Sequence, residues 1–175
     1  MKLSNHQEIA AERYVVWDAL LNPEVLKACI PGCQTLTGSP ETGFEAVVVQ
    51  KVGPVKATFK GEVTISDVVE GTSLTLSGQG KGGPAGFASG SADVRLSTLN
   101  GGTLLEYDVD AKVGGKLAQL GSRIIDGFAK KLAGQFFERF QNGLEQAPQN
   151  ATENTAGDTD DPKNQKGWIG RMFNA

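Results

Sequence analysis

The sequence predicts an α+β fold in which a curved antiparallel sheet wraps around a long C-terminal helix, with two short helices near the N-terminus. Three observations predict it. Apolar and polar residues alternate with period two over most of the stretch from Gln34 to Gly114. One long apolar stripe, mostly at i+4 spacing, follows from Lys116 to Leu144. Ahead of both, a short strand pattern leads into two brief helical patterns divided by Asn22-Pro23.

Each element follows from its residues. Lys2 to Ile9 reads as a first strand. Ala11 to Leu21 reads as a helix, because Val16 and Leu20, and likewise Trp17 and Leu21, are spaced i, i+4 on shared faces. Pro23 suits the first turn of a second helix to about Ala28, and Ile30-Pro31-Gly32 is a turn. About six strands then form an antiparallel meander with one wet and one packed face. Gly53-Pro54, Glu70-Gly71 and Asn100-Gly101-Gly102 are its turn signals. The last helix carries Leu117, Leu120, Ile124, Phe128, Leu132, Phe136 and Phe140, with Ile125 widening the stripe. Phe137 falls outside the stripe, in position to meet a loop or another chain.

The interior between sheet and helix is open to two readings. Ten glycines lie between Thr75 and Gly115, together with several Ala and Ser. A sheet face of small residues either packs close to a helix or leaves room. The aromatic stripe keeps the helix from lying flush, which favours an apolar cavity of the kind that takes small molecules.

Composition narrows the function. The chain has 175 residues, 17 basic and 20 acidic side chains, one His and two Cys. A net charge of −3 argues against nucleic acid as a partner. One His and two Cys cannot assemble a Cys₄, Cys₂His₂ or His₃ zinc site, so no metal is expected. Gly78-Gln-Gly80-Lys-Gly-Gly83 matches G-x-G-x-x-G, but a strand rather than a helix follows it, so the phosphate-binding physics is missing. Cys29 and Cys33 are four apart, the wrong spacing for a redox pair, and read as structural thiols. His6, Asp108 and Asp110 stand in no catalytic constellation. No catalytic residue is assigned and the protein is expected not to be an enzyme.

Residues 1–146 carry the globular pattern. Residues 147–165 have no large apolar side chain and hold four acids, the composition of a disordered linker. Residues 166–175 reverse that character. Trp168, Ile169, Met172 and Phe173 share one helical face, and Lys166 and Arg171, with Lys163, make this end basic. Such a tail reads as a peripheral membrane anchor or a docking peptide, against the plainer reading of a terminus with incidental apolar residues. The absence of a signal-peptide pattern and of a run of about 20 apolar residues places the expected location in the cytoplasm.

Val16-Trp17-Asp-Ala-Leu20, Asn22-Pro23-Glu-Val-Leu26 and Cys29-Ile-Pro31-Gly32-Cys33 together resemble the CoxG family, the G-subunit family of carbon monoxide dehydrogenase. The resemblance continues through Val52-Gly53-Pro54-Val55, Gly102-Thr103-Leu-Leu-Glu-Tyr107, Val113-Gly114-Gly115-Lys116-Leu117-Ala-Gln-Leu120-Gly121 and Phe136-Phe137. It implies the START-like, helix-grip fold with a hydrophobic cavity. It also implies an accessory role beside a molybdenum hydroxylase complex, recruitment to the inner face of the cytoplasmic membrane, and a bound menaquinone, ubiquinone or other lipid. On this reading Leu117, Leu120, Ile124, Phe128, Leu132 and Phe136 form the helix wall of the cavity. Pro31, Gly32, Gly53 and Pro54 stand near its mouth. Lys166, Trp168, Ile169, Arg171, Met172 and Phe173 touch the membrane or the partner.

Overall fold

The computed structural model describes residues 1–157, with side chains described through residue 144. The elements run β1 (Lys2–Ile9), α1 (Arg13–Leu20), α2 (Pro23–Cys29), β2 (Cys33–Ser39), β3 (Gly43–Val52), β4 (Val55–Val69) and β5 (Ser73–Lys81). A single 3₁₀ turn (Gly83–Ala85) precedes β6 (Phe87–Leu99), β7 (Gly102–Gly114), α3 (Lys116–Gln119) and α4 (Ser122–Gly157). All seven strands form one antiparallel sheet, ordered β1-β7-β6-β5-β4-β3-β2. The chain therefore meanders from β2 to β7 and returns its first strand to the far edge. The expected α+β architecture, sheet and long helix with two short N-terminal helices, is the one observed.

Local chemistry explains the boundaries. Asn22 caps α2, its side-chain oxygen accepting from the Glu24 amide at 2.9 Å, and Pro23 occupies the first turn. The helix expected to be continuous from Lys116 is broken. Gly121 takes a φ of 90°, a conformation that L-residues avoid, so α3 stops and α4 begins afresh at Ser122. This break resets the helical phase. Ile125, not Ile124, is buried, and Ile124 is left 40% exposed. Past Leu144 the helical backbone continues to Gly157, into the stretch whose composition marked a linker. Residues 158–165 of that stretch, and the tail 166–175, lie outside the described residues.

The core divides in two along α4. At one end, Trp17 and Val16 of α1, Leu74, Val94, Leu105 and Tyr107 of the sheet, and Phe137, Phe140 and Leu144 of α4 pack together. Phe137 is thus a core residue, contrary to its position off the expected stripe. Its ring stacks on Tyr107 at 5.2 Å and meets Phe136 edge-on. The buried Thr103 hydroxyl donates to the Ala11 carbonyl at 2.7 Å and ties β7 to the corner before α1. At the other end, Val52, Leu117 and Ile125 form a smaller cluster with Phe59, Val113, Leu120 and Phe128 against it.

Phe140 is 1% exposed, so Phe140→Ala should cost about 3–5 kcal/mol in urea unfolding. Ile124→Ala, at a 40% exposed position, should cost under about 1 kcal/mol. Equal losses would contradict the packing described.

Candidate functional site

The inner face of the sheet is set by strand alternation. Leu74, Val94, Leu105 and Tyr107 point to α4, so every second residue from each of them does too. Following the register, one inward row crosses the sheet as Ala46, Gly61, Gly80, Ala88 and Val113. The adjacent row runs Phe44, Val63, Gly78, Gly90 and Ala111. Val113 packs on the smaller cluster, and the glycines and alanines of these rows lie between the two core clusters. Their small side chains leave the middle of the inner face without the volume that fills both ends. Apart from Phe44, which is buried at the β3 end, none of their residues reaches full burial, although all point inward. A Cβ at Gly80 would meet nothing closer than the Lys60 carbonyl at 3.8 Å, whereas one at Gly90 would strike the Asp110 carbonyl at 2.4 Å. Gly90 is demanded by the close approach of β7, and Gly80 is not.

The helix residues expected to wall a cavity take different stations. Leu117 is buried, and Leu120 and Phe128 pack on the smaller cluster. Phe136 packs on the larger one. Leu132, half-buried, belongs to neither cluster and falls on α4 between them. Ile124 stands at a rim, its Cγ2 3.5 Å from where a Cβ on Gly53 would lie, with Leu120 at 4.0 Å. The β3–β4 hairpin carrying Gly53 and Pro54 therefore meets the start of α4. The Pro31-Gly32 turn is fastened to the same strand: the Gln50 amide donates to the Pro31 carbonyl and the Val49 amide donates to the Gly32 carbonyl at 2.9 Å. Gly32 is required there, because a side chain would collide with the Val49 carbonyl. The structure thus gathers Pro31, Gly32, Gly53 and Pro54 around the C-terminal half of β3.

Two open recesses flank this region. One, of about 540 Å³, is lined by Pro54, Val55, Ala57, Gly82, Pro84 and Lys116. It lies where β4 has no β5 partner before Lys60, beside the 3₁₀ turn. The other, about 630 Å³, is lined by side chains of the outer face, among them Thr35, Glu45, Thr58, Lys60 and Glu62. Sequence reasoning missed Asp126, whose Oδ1 is buried without a hydrogen-bond partner in the second turn of α4. No motif or spacing marks such a residue; only the packing around it does.

A family model for the carbon monoxide dehydrogenase G-subunit (CoxG) matches residues 6–145. The chain belongs to the CoxG family. Its fold is that of the START-like, helix-grip proteins. The crystal structure of a conserved protein from Geobacillus kaustophilus is similar at a TM-score of 0.78 and 29% identity, covering 83% of this chain and 95% of that one. Protein CV1439 from Chromobacterium violaceum (TM-score 0.61, 15% identity, 82% and 97% covered) and protein Ms6760 from Mycobacterium smegmatis (0.60, 18%, 82% and 90%) share the fold. No curated protein matches the chain. CoxG membership gives the chain an accessory role associated with carbon monoxide dehydrogenase. No helix among the described residues is long and apolar enough to cross a membrane.

The two thiols of this CoxG chain differ. Burial pushes Cys29 up to about 11, partly opposed by Arg139. Cys33, half-buried, is also raised by burial and donates to the Thr35 carbonyl at 3.3 Å. A raised folded-state value means that the unfolded thiol ionises first as pH climbs. The unfolded state then binds fewer protons, and stability falls between about pH 9 and 11. Urea unfolding at both ends of that window should show a smaller loss for Cys29→Ala than for the parent. In the native state iodoacetamide should modify Cys33 well before Cys29; the reverse order would refute the burial assigned to Cys29.

Proposed function

We propose that the chain is a non-enzymatic accessory protein of a molybdenum hydroxylase of the carbon monoxide dehydrogenase type. It holds a hydrophobic molecule, a menaquinone- or ubiquinone-type respiratory quinone, between the inner face of the sheet and α4. The carrying observation is the pair of glycine- and alanine-rich rows lying between two filled core clusters. They leave apolar walls from Val63 and Leu132 half-buried where an ordinary core would be closed. Apolar ligand surface removed from water there contributes about 25 cal/mol per Å². The family supplies the partner, and the redox chemistry is the partner's. The tail from Lys166 to Phe173 holds the protein at the inner face of the cytoplasmic membrane.

Gly80→Leu tests the cavity, because the site accepts a Cβ and the added side chain points inward. Quinone affinity should drop at least tenfold while thermal stability stays near that of the parent. Organic extraction and mass spectrometry of the purified chain should recover an isoprenoid quinone. A ligand-free preparation that also ignores added quinone would leave only an adaptor role. For the tail, co-sedimentation with liposomes should fall when residues 163–175 are removed, and equal pelleting would end the anchor assignment.

A further inference from the structure

The mild net charge conceals a strong separation along the axis of α4. At the end built by the β3–β4 hairpin, the 3₁₀ turn and the start of α4, the exposed charges include Lys51, Lys56, Lys60, Lys81, Lys116 and Arg123. At the opposite end, around the β2–β3 and β4–β5 hairpins and the entry to α1, stand Glu12, Glu41, Asp67 and Glu70, with Arg13 as a cation among them, its guanidinium turned onto the Gly71 carbonyl. The basic end is not arranged for the fold's own benefit. Lys51 pairs directly with Lys56 across the hairpin, and Lys60 directly with Lys81 across β4–β5. Like charges in direct cross-strand register destabilise a sheet. None of these lysines has a carboxylate within ion-pair distance among the described residues; the ion pair found there is Arg95–Asp108, at 3.0 Å on another part of the outer face.

Apolar groups protrude among these cations. Phe87 is the next cross-strand neighbour of Lys81, lies across Gly114 and is 49% exposed. Pro54 and Pro84 are exposed at two turns, and Ile124 is 40% exposed beside Gly53. Scattered apolar tips at turns, standing among unpaired lysines, match a surface of anionic headgroups over an apolar interior. They do not form the continuous groove that a peptide or helix would need.

We propose that this basic pole is a docking surface for an anionic lipid bilayer. It presents the recess between Pro54, Pro84 and Lys116 to the membrane. That recess opens beside Val55 and Ala57, whose side chains belong to the inner face. A lipophilic molecule leaving the bilayer would therefore meet apolar wall without crossing the hydrated outer face. The inference deepens the membrane reading above and rests on it for the kind of surface, but not on the tail. Leu144 lies about 33 Å up α4 from Ser122 at about 1.5 Å per residue, so the two contacts leave from opposite ends of the domain.

Full-length protein, a Trp168→Ser/Phe173→Ser tail variant and a Lys56→Gln/Lys60→Gln/Lys81→Gln pole variant are compared on phosphatidylcholine vesicles with and without phosphatidylserine. The tail variant should keep salt-sensitive binding to the anionic vesicles. The pole variant should lose affinity by about fivefold per lysine, with unfolding temperature equal to or above the parent's because the like-charge pairs are gone. A tail variant that binds as well as the parent removes the tail's role and supports the pole's. A pole variant that binds as well as the parent, or a tail variant that does not bind at all, overturns the pole. So does a pole variant that keeps its vesicle binding but loses association with the partner enzyme, which would make the pole an acidic-protein surface.

Discussion

The architecture depends on how α4 is held against the sheet. It is gripped at two places and not between them. At one end Phe137 and Phe140 fill the space over Tyr107 and Leu105, and at the other Ile125 and Leu117 close on Val52. Both contacts are made by large side chains, which set the separation of helix and sheet. Between them the sheet offers Gly61, Gly78, Gly80, Ala88 and Ala111, which carry little side-chain volume. An α-helix is stiff over this length, so its course between the two contacts is set by them. The cavity proposed above rests on these two clusters and two small rows, without any residue being dedicated to making it.

Much of this was legible in the chain. Strand alternation, the turn signals at Gly53-Pro54 and Asn100-Gly101-Gly102, and the Asn22-Pro23 break between the two short helices each act locally, so sequence spacing reports them faithfully. The misreadings fell where geometry outruns local spacing. A stripe drawn through Leu117, Leu120 and Ile124 assumes one continuous helix, and Gly121 breaks it. Once the phase restarts, Ile125 turns inward and Ile124 outward, and drift along α4 brings Phe137 over Tyr107. The small rows were sensed only as a glycine-rich region. Register was needed to show that Gly61, Gly80 and Ala88 stand side by side while Gly82 and Gly83 lie beyond the sheet.

The same dependence on register hid the charge pattern. Lys51 and Lys56, or Lys60 and Lys81, look ordinary along the chain, and its total charge of −3 points to an acidic protein. Folding an antiparallel meander sorts residues by their distance from the hairpins. Alternate hairpins gather at opposite ends, so cations near one set and acids near the other become two poles. Net charge governs solubility, but the arrangement of charge governs which end of the molecule faces a charged surface.

The inner face of the sheet and the basic pole meet at β4. This strand begins at the hairpin tip, and its first residues lack a β5 partner because β5 ends at Lys81 and turns away at Gly83–Ala85. The unpaired stretch places Lys56 outward and Val55 and Ala57 inward on either side of one short edge. An edge strand exposed in this way invites pairing with another chain, and charge on its outer face is a usual defence. Here Lys56 and the neighbouring Pro54 provide that protection. The residues that guard the edge against another protein strand are thus the same ones that the proposed bilayer contact uses. A hydrated anionic surface satisfies lysines without needing the edge's amides and carbonyls, so protection from aggregation and access to the interior are compatible at this one place in the sheet.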